Sequence, residues 1–231
     1  MKTKIFCDIA EINLIKKFNK KKIVKGFTTN PSLMRKAGAK NYTNYSKAIL
    51  RKTNKPVSFE VFADDYKNIL KQALKIKSWG KNVYVKIPVE NSKGTFMGKV
   101  INELSKNNIK MNITAVYTHG QTARILSKIK GKAKVIISIF AGRAGDAGRD
   151  PLPEFKQSLK MVKSFNNVEI LWASVREPYN YIQAKQLGCH IITIPPSIIE
   201  KIQKFGKSYK ALTNETVKTF YKDAKSAKFK I

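Results

Sequence analysis

Eight short runs rich in Val, Ile and Phe recur along the chain, and longer amphipathic stretches follow them. That alternation restricts the fold more than any other feature, because it is the pattern of strands joined by helical crossovers. The runs lie near 3–9, 23–28, 57–62, 82–87, 109–114, 134–140, 168–173 and 190–194. Helical patterns occupy 42–53, 64–79, 95–107, 118–130, 151–165, 178–187 and 196–204, with a terminal one at 214–227. Asp64 with Asp65, Pro151 with Pro153, and Pro178 mark helix starts. Such units either close into a barrel or form an open doubly wound sheet. Nothing like G-x-G-x-x-G follows the first run, and eight regular units in 231 residues suit closure. The expected fold is α/β: a single (β/α)8 TIM-barrel domain over 1–231 with an extra C-terminal helix.

Hydrophobic residues make up 42% of the chain, enough for a substantial core, so wholesale disorder is ruled out. No apolar run approaches the roughly 20 residues of a membrane span, and the N-terminal Met1–Asp8 has no long apolar segment of a secretory leader. Cys7 and Cys189 lie too far apart for a zinc motif and are too few for a disulfide framework. A cytoplasmic protein is expected. Net charge is +31, the footprint of a nucleic-acid binder. Yet 40 Lys stand against 6 Arg and are spread through every segment, which reads better as a solvated coat than as a specific nucleic-acid surface. Three of the arginines, Arg143, Arg149 and Arg176, instead fall in two short loops.

Strands buried on both faces should be continuously apolar, and these are not. Asp8 interrupts the first run, and Ser58 and Glu60 the third. Lys86 lies in the fourth, with Asn82 and Tyr84 on its alternation. Asn112 and Thr114 lie in the fifth, Ser138 and Phe140 in the sixth. Spacing by two places each pair on one side of its strand. Thr28 and Asn30 end the second run, and Ser174 follows the seventh. Asp8, Thr28, Asn30, Glu60, Lys86, Asn112, Thr114, Ser138, Phe140 and Ser174 lie in or beyond the C-terminal halves of their runs, the end of a barrel that carries active sites. Burying a charge is costly unless it is paired, so convergence of Lys86, Asp8 and Glu60 on one barrel end points to chemistry. For single hydroxyls such as Thr28 a purely structural role is an equal alternative, and Asp8 alone could cap a helix starting at Glu11.

An uncharged lysine amine among apolar walls is a nucleophile for carbonyls, and the iminium it forms is an electron sink for breaking an adjacent C–C bond. Carboxylates, amides and hydroxyls supply the proton shuttle and the hydroxyl recognition. His119 and His190 start a helix and a strand and read as structural, and no metal-ligand spacing is present. Arg143 and Arg176 lie in loops with the guanidinium geometry that fits phosphate, although pairing with Asp146, Asp150 or Glu177 would explain them too.

Five segments, Thr28-Thr29-Asn30-Pro31-Ser32-Leu33, Val85-Lys86-Ile87-Pro88, Asn112-Ile113-Thr114-Ala115-Val116-Tyr117 with Gln121, Ser138-Ile139-Phe140-Ala141-Gly142-Arg143 and Ala173-Ser174-Val175-Arg176, follow in the order of the transaldolase family. The resemblance runs from Lys4 to about Phe229, and the length is similar to the compact, fructose-6-phosphate aldolase-like branch. It implies Lys86 as the Schiff-base lysine, Asp8 as the acid/base of C–C cleavage, and Glu60 and Thr114 as holders of the water that makes and hydrolyses the imine. It implies Thr28, Asn30, Asn112, Ser138 and Phe140 around the dihydroxyacetone unit, and Arg143, Ser174 and Arg176 around phosphate. Glu60 and Phe140 resemble transaldolases proper, where the aldolase branch has Gln and Tyr. The implied activity is cofactor-free transfer of a dihydroxyacetone unit between sugar phosphates, with a sister aldolase as the alternative and nucleic-acid binding on a dead barrel as the remote one. The family's use of a C-terminal helix between subunits implies a homo-oligomer, a pentamer or decamer, with no membrane partner. Ser138-Ile139-Phe140 replaces the usual Ser-Pro-Phe, and Asp146, Arg149 and Asp150 give the following loop its own character.

Overall fold

The structure, a computed structural model, describes residues 3–230. Its strands are β1 (Lys4–Asp8), β2 (Val24–Thr28), β3 (Val57–Glu60), β4 (Val83–Pro88), β5 (Met111–Val116), β6 (Val135–Phe140), β7 (Val168–Ala173) and β8 (Ile191–Ile194). All neighbours are parallel, and the order β1 to β8 closes when β8 pairs with β1. The TIM barrel expected from the alternation is the observed fold. Eight-stranded closure removes every free edge, and the long crossovers that parallel strands require become the outer helices.

Those helices are α1 (Ile12–Asn19), α2 (Pro31–Lys36), α3 (Tyr42–Leu50), α4 (Tyr66–Lys77), α5 (Gly98–Lys106) and α6 (His119–Leu126). After β6 come α7 (Ala141–Asp146), α8 (Leu152–Met161), α9 (Tyr179–Leu187), α10 (Pro196–Ile202) and α11 (Tyr209–Ser226). The sequence pattern predicts neither α2 nor α7, gives α1 only as the segment from Glu11 that Asp8 could cap, and starts the last helix five residues late, at 214 rather than Tyr209. Asp65 caps α4 by accepting from Asn68 N, whereas Asp64 turns away to accept from Ser92 N and Oγ. Thr118 and Gln121 close a reciprocal capping box at α6.

Two apolar layers result. Outward-facing residues such as Phe27, Phe59, Ile87, Ile113 and Trp172 pack under the helices, where Phe155 of α8 stacks on Trp172 at 4.5 Å between ring centroids. Burial of side chains of this size is worth about 1.5–3 kcal/mol each. Inward-facing Phe6, Tyr84, Ile136, Leu171 and Ile191 plug the bore. Gly26 admits the Phe6 ring: a Cβ there would lie 2.6 Å from it. With the lower bore filled by apolar side chains, the polar residues of the strand C-termini have a dry floor beneath them.

The helix α11 has no buried residue, and Tyr209, Val217, Phe220 and Tyr221 along it are exposed. Among the described residues no helix is long and apolar enough to cross a membrane.

Candidate active site

At the C-terminal mouth of the barrel, Asp8, Thr28, Asn30, Lys86, Asn112, Thr114, Ser138, Phe140, Arg143, Ser174 and Arg176 line a single cavity of about 200 Å³, together with Ala173 and Thr193. All the site residues implied by the family resemblance thus converge on it except Glu60, which reaches it through Lys86. Ser58 lies behind Asn112, Tyr84 plugs the bore and Asn82 bonds the Thr53 and Lys55 carbonyls. Strand register explains the convergence. Glu60 on β3 is level with Lys86 on β4, and Lys86 is level with Asn112 on β5. Asp8 is likewise level with Thr28, and Thr28 with Ser58.

Lys86 is 7% exposed. Its Nζ lies 3.1 Å from Glu60 Oε2 and donates at 3.1 Å to the carbonyl of Thr29. The amine is therefore held from two sides. Across the floor, Asp8 Oδ1 accepts from Thr28 Oγ1 at 2.7 Å, and Thr28 in turn meets Thr193 Oγ1 at 2.5 Å. Since Thr28 spends its proton on Asp8, Thr193 is the donor of the second bond. Burial pushes the Asp8 carboxyl above its usual range, and the nearby Lys86 charge and the Thr28 hydrogen bond pull it only part of the way back. A carboxyl raised in this way keeps its proton to higher pH than a free one, a property that suits an acid/base. The alternative role as a helix cap is not taken: Glu11, with no side-chain bond, stands at the start of α1.

Asn112 forms a crossbar, donating through Nδ2 to Ser58 Oγ at 3.0 Å and accepting at Oδ1 from Ser138 Oγ at 2.6 Å. Asn30 uses Oδ1 to cap α2 through Leu33 N at 2.8 Å, so it also sets the direction in which the chain leaves β2. Thr114 is 2% exposed, and its hydroxyl has no partner among the described residues although it lines the cavity. The next residue, Ala115, has φ +58°, where the β5–β6 register shifts.

The rim is looser. Arg143 N donates to Ser174 Oγ at 3.2 Å, and Ser174 itself has φ +61°. Gly142 makes this packing possible, because a Cβ there would sit 1.8 Å from the Ser174 carbonyl oxygen. Arg176 grips Asp146 with Nε at 3.1 Å from both carboxylate oxygens and Nη2 at 2.5 Å from Oδ2. That pair raises Arg176 and lowers Asp146 from their ordinary values. Of the three carboxylates weighed as partners, Asp146 is the one engaged; Asp150 accepts from Leu152 N instead. Arg176 still faces the cavity, so pairing and anion binding are not exclusive.

Both histidines lie outside the cavity. His119 Nδ1 meets Glu154 at 2.7 Å, and His190 Nδ1 accepts from Ile170 N. Two residues of the site were not read from the sequence. Thr193 stands among isoleucines on β8, and its only signal was a hydroxyl on the inward alternation. Tyr42, at the start of α3, touches the main chain of Glu60 on both its polar groups.

Residues 5–231 match the model of the transaldolase/fructose-6-phosphate aldolase family. The chain belongs to that family. A probable transaldolase of Thermoanaerobacter sp. is 32% identical over 229 residues, covering 99% of this chain and all of its own length. Probable transaldolases of Methanococcus maripaludis (34% identical, 86% of this chain and 89% of theirs) and Nitrosopumilus maritimus (32%, 97% and 96%) are similar to it as well. Among solved structures, the orotidine 5'-monophosphate decarboxylase of Metallosphaera sedula superposes with a TM-score of 0.57 at 10% identity, over 87% of this chain and 95% of its own. At that identity the likeness is one of fold. Within the transaldolase/fructose-6-phosphate aldolase family, the polar cavity at the strand C-termini is where this chain departs from a merely apolar barrel.

Proposed function

We propose that the protein is a transaldolase that moves a dihydroxyacetone unit from a ketose phosphate, such as fructose 6-phosphate or sedoheptulose 7-phosphate, to an aldose phosphate. The observation that carries this reading is Lys86, a buried amine 3.1 Å from Glu60 in a cavity shared with a carboxyl raised by burial. In its uncharged form Lys86 Nζ attacks the ketose C2 carbonyl. The resulting carbinolamine loses water, and Glu60 and Thr114 hold that water and its protons. The iminium then withdraws the electrons of the C3–C4 bond while Asp8 takes the C4 hydroxyl proton, and an aldose leaves. The enamine left on Lys86 adds to the acceptor aldehyde, Asp8 returns its proton, and hydrolysis frees Lys86. Protons and electrons balance over the cycle, and no external oxidant or cofactor takes part.

Thr28, Asn30, Asn112 and Ser138 recognise hydroxyls of the three-carbon unit. Phe140, near Tyr117 at 5.9 Å between ring centroids, forms an apolar wall. Arg143, Ser174 and Arg176 take the phosphate, whose binding energy positions the bond to be broken. The exposed apolar side of α11 supports a homo-oligomer in which that helix covers a neighbouring copy, a pentamer or a pair of rings. Light scattering giving a monomer mass at micromolar concentration would remove that assembly.

The test of function is incubation with fructose 6-phosphate, borohydride reduction and mass mapping. An adduct on Lys86 is expected, with about one equivalent of glyceraldehyde 3-phosphate per site released without acceptor and continued release only with added erythrose 4-phosphate. Free dihydroxyacetone formed equally with and without acceptor would favour the aldolase reading, which uses the same imine on Lys86.

A further inference from the structure

The strand β3 loses its neighbour just where it carries Glu60. Pairing with β2 covers Phe27 with Val57 and Thr28 with Ser58, and Thr29 N still donates to Ser58 O. Asn30 then turns away into α2. On the other side the ladder continues, because Val61 N donates to Lys86 O at 3.0 Å. The main-chain N–H and C=O of Glu60 point to the side that β2 has left. Both are met by one phenol: Glu60 N donates to Tyr42 Oη at 3.0 Å, and Tyr42 Oη donates to Glu60 O at 3.0 Å. A single side chain stands in for the missing strand.

The phenol is itself fixed. The Tyr42 ring meets Phe62 edge-on at 5.3 Å and Trp79 at 6.1 Å, and Trp79 meets Phe59 of β3 at 5.8 Å. Burial pushes the phenol well above its ordinary value, so its proton stays in place to donate. Both part-buried main-chain groups of Glu60 would lose this partner without that hydroxyl, and an unmet polar group costs up to about 1–3 kcal/mol where it is fully buried.

We propose that Tyr42 is a positioning residue for the reaction, fixing the Glu60 main chain so that its carboxylate stays against Lys86 Nζ. Tyr42 touches no reacting atom; it acts through Glu60. The catalytic consequence rests on the role given to Lys86 above, and the positioning of Glu60 does not.

Tyr42→Phe removes the hydroxyl and keeps the ring. Trp79→Phe disturbs the same aromatic cluster and keeps the hydroxyl. Two readouts separate the questions. Acylation of Lys86 by acetic anhydride, quantified by mass spectrometry against exposed lysines, reads the Glu60–Lys86 pair with no substrate. Borohydride trapping with fructose 6-phosphate reads imine formation. In Tyr42→Phe, acylation of Lys86 is expected to speed up about two- to fivefold as Glu60 slackens. Imine formation is expected to slow about fivefold or more, with KM within twofold. Trp79→Phe is expected to move both less than Tyr42→Phe does, because the hydroxyl remains. Adding Glu60→Gln is expected to make Tyr42→Phe silent in imine formation, because residues acting through one group are not additive.

Lys86 acylation in Tyr42→Phe within 1.5-fold of the wild type would overturn the proposal. So would equal changes in Trp79→Phe, or full additivity with Glu60→Gln. If the wild type itself traps no imine, the function assigned above fails, while the acylation comparison still decides whether Tyr42 positions Glu60.

Discussion

The floor and the rim of the cavity hold charge in opposite ways. On the floor, Lys86, Glu60 and Asp8 are withdrawn from water on strands whose register fixes their height, and each has a named partner within 3.1 Å. At the rim, Arg176 and Asp146 hold one another while their side chains stay 49% and 54% exposed. Buried groups cannot relax, so the floor sets reactivity. Exposed charges are screened and mobile, so the rim can set affinity without setting chemistry. Variants of the two regions should therefore differ in kind as well as in size.

The largest effect belongs to Lys86. Lys86→Met keeps the apolar stem and removes the amine, and turnover is expected to fall by at least about 10,000-fold, because the proposed covalent intermediate forms on that amine. Retained turnover with a borohydride-trapped adduct elsewhere would move the chemistry to another residue.

Asp8→Asn comes next, with an expected loss of about 100- to 10,000-fold, the usual span for a general acid/base. Its stability effect has the opposite sign. Folding raises the Asp8 carboxyl, so the native state holds its proton to higher pH than the unfolded chain does. Stability contributed by that proton is complete below the unfolded value and is lost as pH rises through the folded one. Asparagine carries no such proton. The variant is thus expected to melt at a higher temperature than the wild type at neutral pH, and to lose that advantage below the unfolded carboxylate range. Equal melting at neutral pH would mean that Lys86 fully compensates the buried carboxylate.

Legibility in the sequence followed the same division. Strand β7 matches the apolar run 168–173 residue for residue, and a charge in such a run, as with Asp8 or Lys86, breaks a pattern that burial imposes. The short helices were invisible for the converse reason: α2 buries only Met34, and α7 buries only Ala141, so neither shows a period. Tyr42 escaped notice because its partners are main-chain groups, which no side-chain pattern reports. At the rim, the sequence supplied the arginines and three carboxylates in reach but not their pairing, since that depends on how the two loops fold against each other through Gly142 and Ser174.

Arg143→Ala and Arg176→Ala sharpen the contrast. Loss of one charge-assisted contact is worth about 1.5–3 kcal/mol, so kcat/KM for phosphorylated ketoses is expected to fall about 10- to 150-fold. Unphosphorylated ketoses should be affected less than about twofold, because the floor is untouched. Equal losses for both substrate classes would show that these side chains hold the loops together.

The smallest effect is at Asp146. Its carboxylate occupies Arg176 Nε and Nη2 and places a negative charge at the edge of the site proposed for phosphate. Asp146→Asn keeps the shape, frees the guanidinium and removes the repulsion. KM for phosphorylated donors is therefore expected to fall about two- to fivefold at low salt, with kcat unchanged. The pair is exposed, so the difference should shrink toward nothing at about 0.5 M salt, where the screening length is only a few ångströms. Variants of the floor should show no such salt dependence. A rise in KM for Asp146→Asn would reverse the assignment, making the carboxylate a brace that aims Arg176 at the cavity, and the loss should then persist in high salt because it is one of geometry.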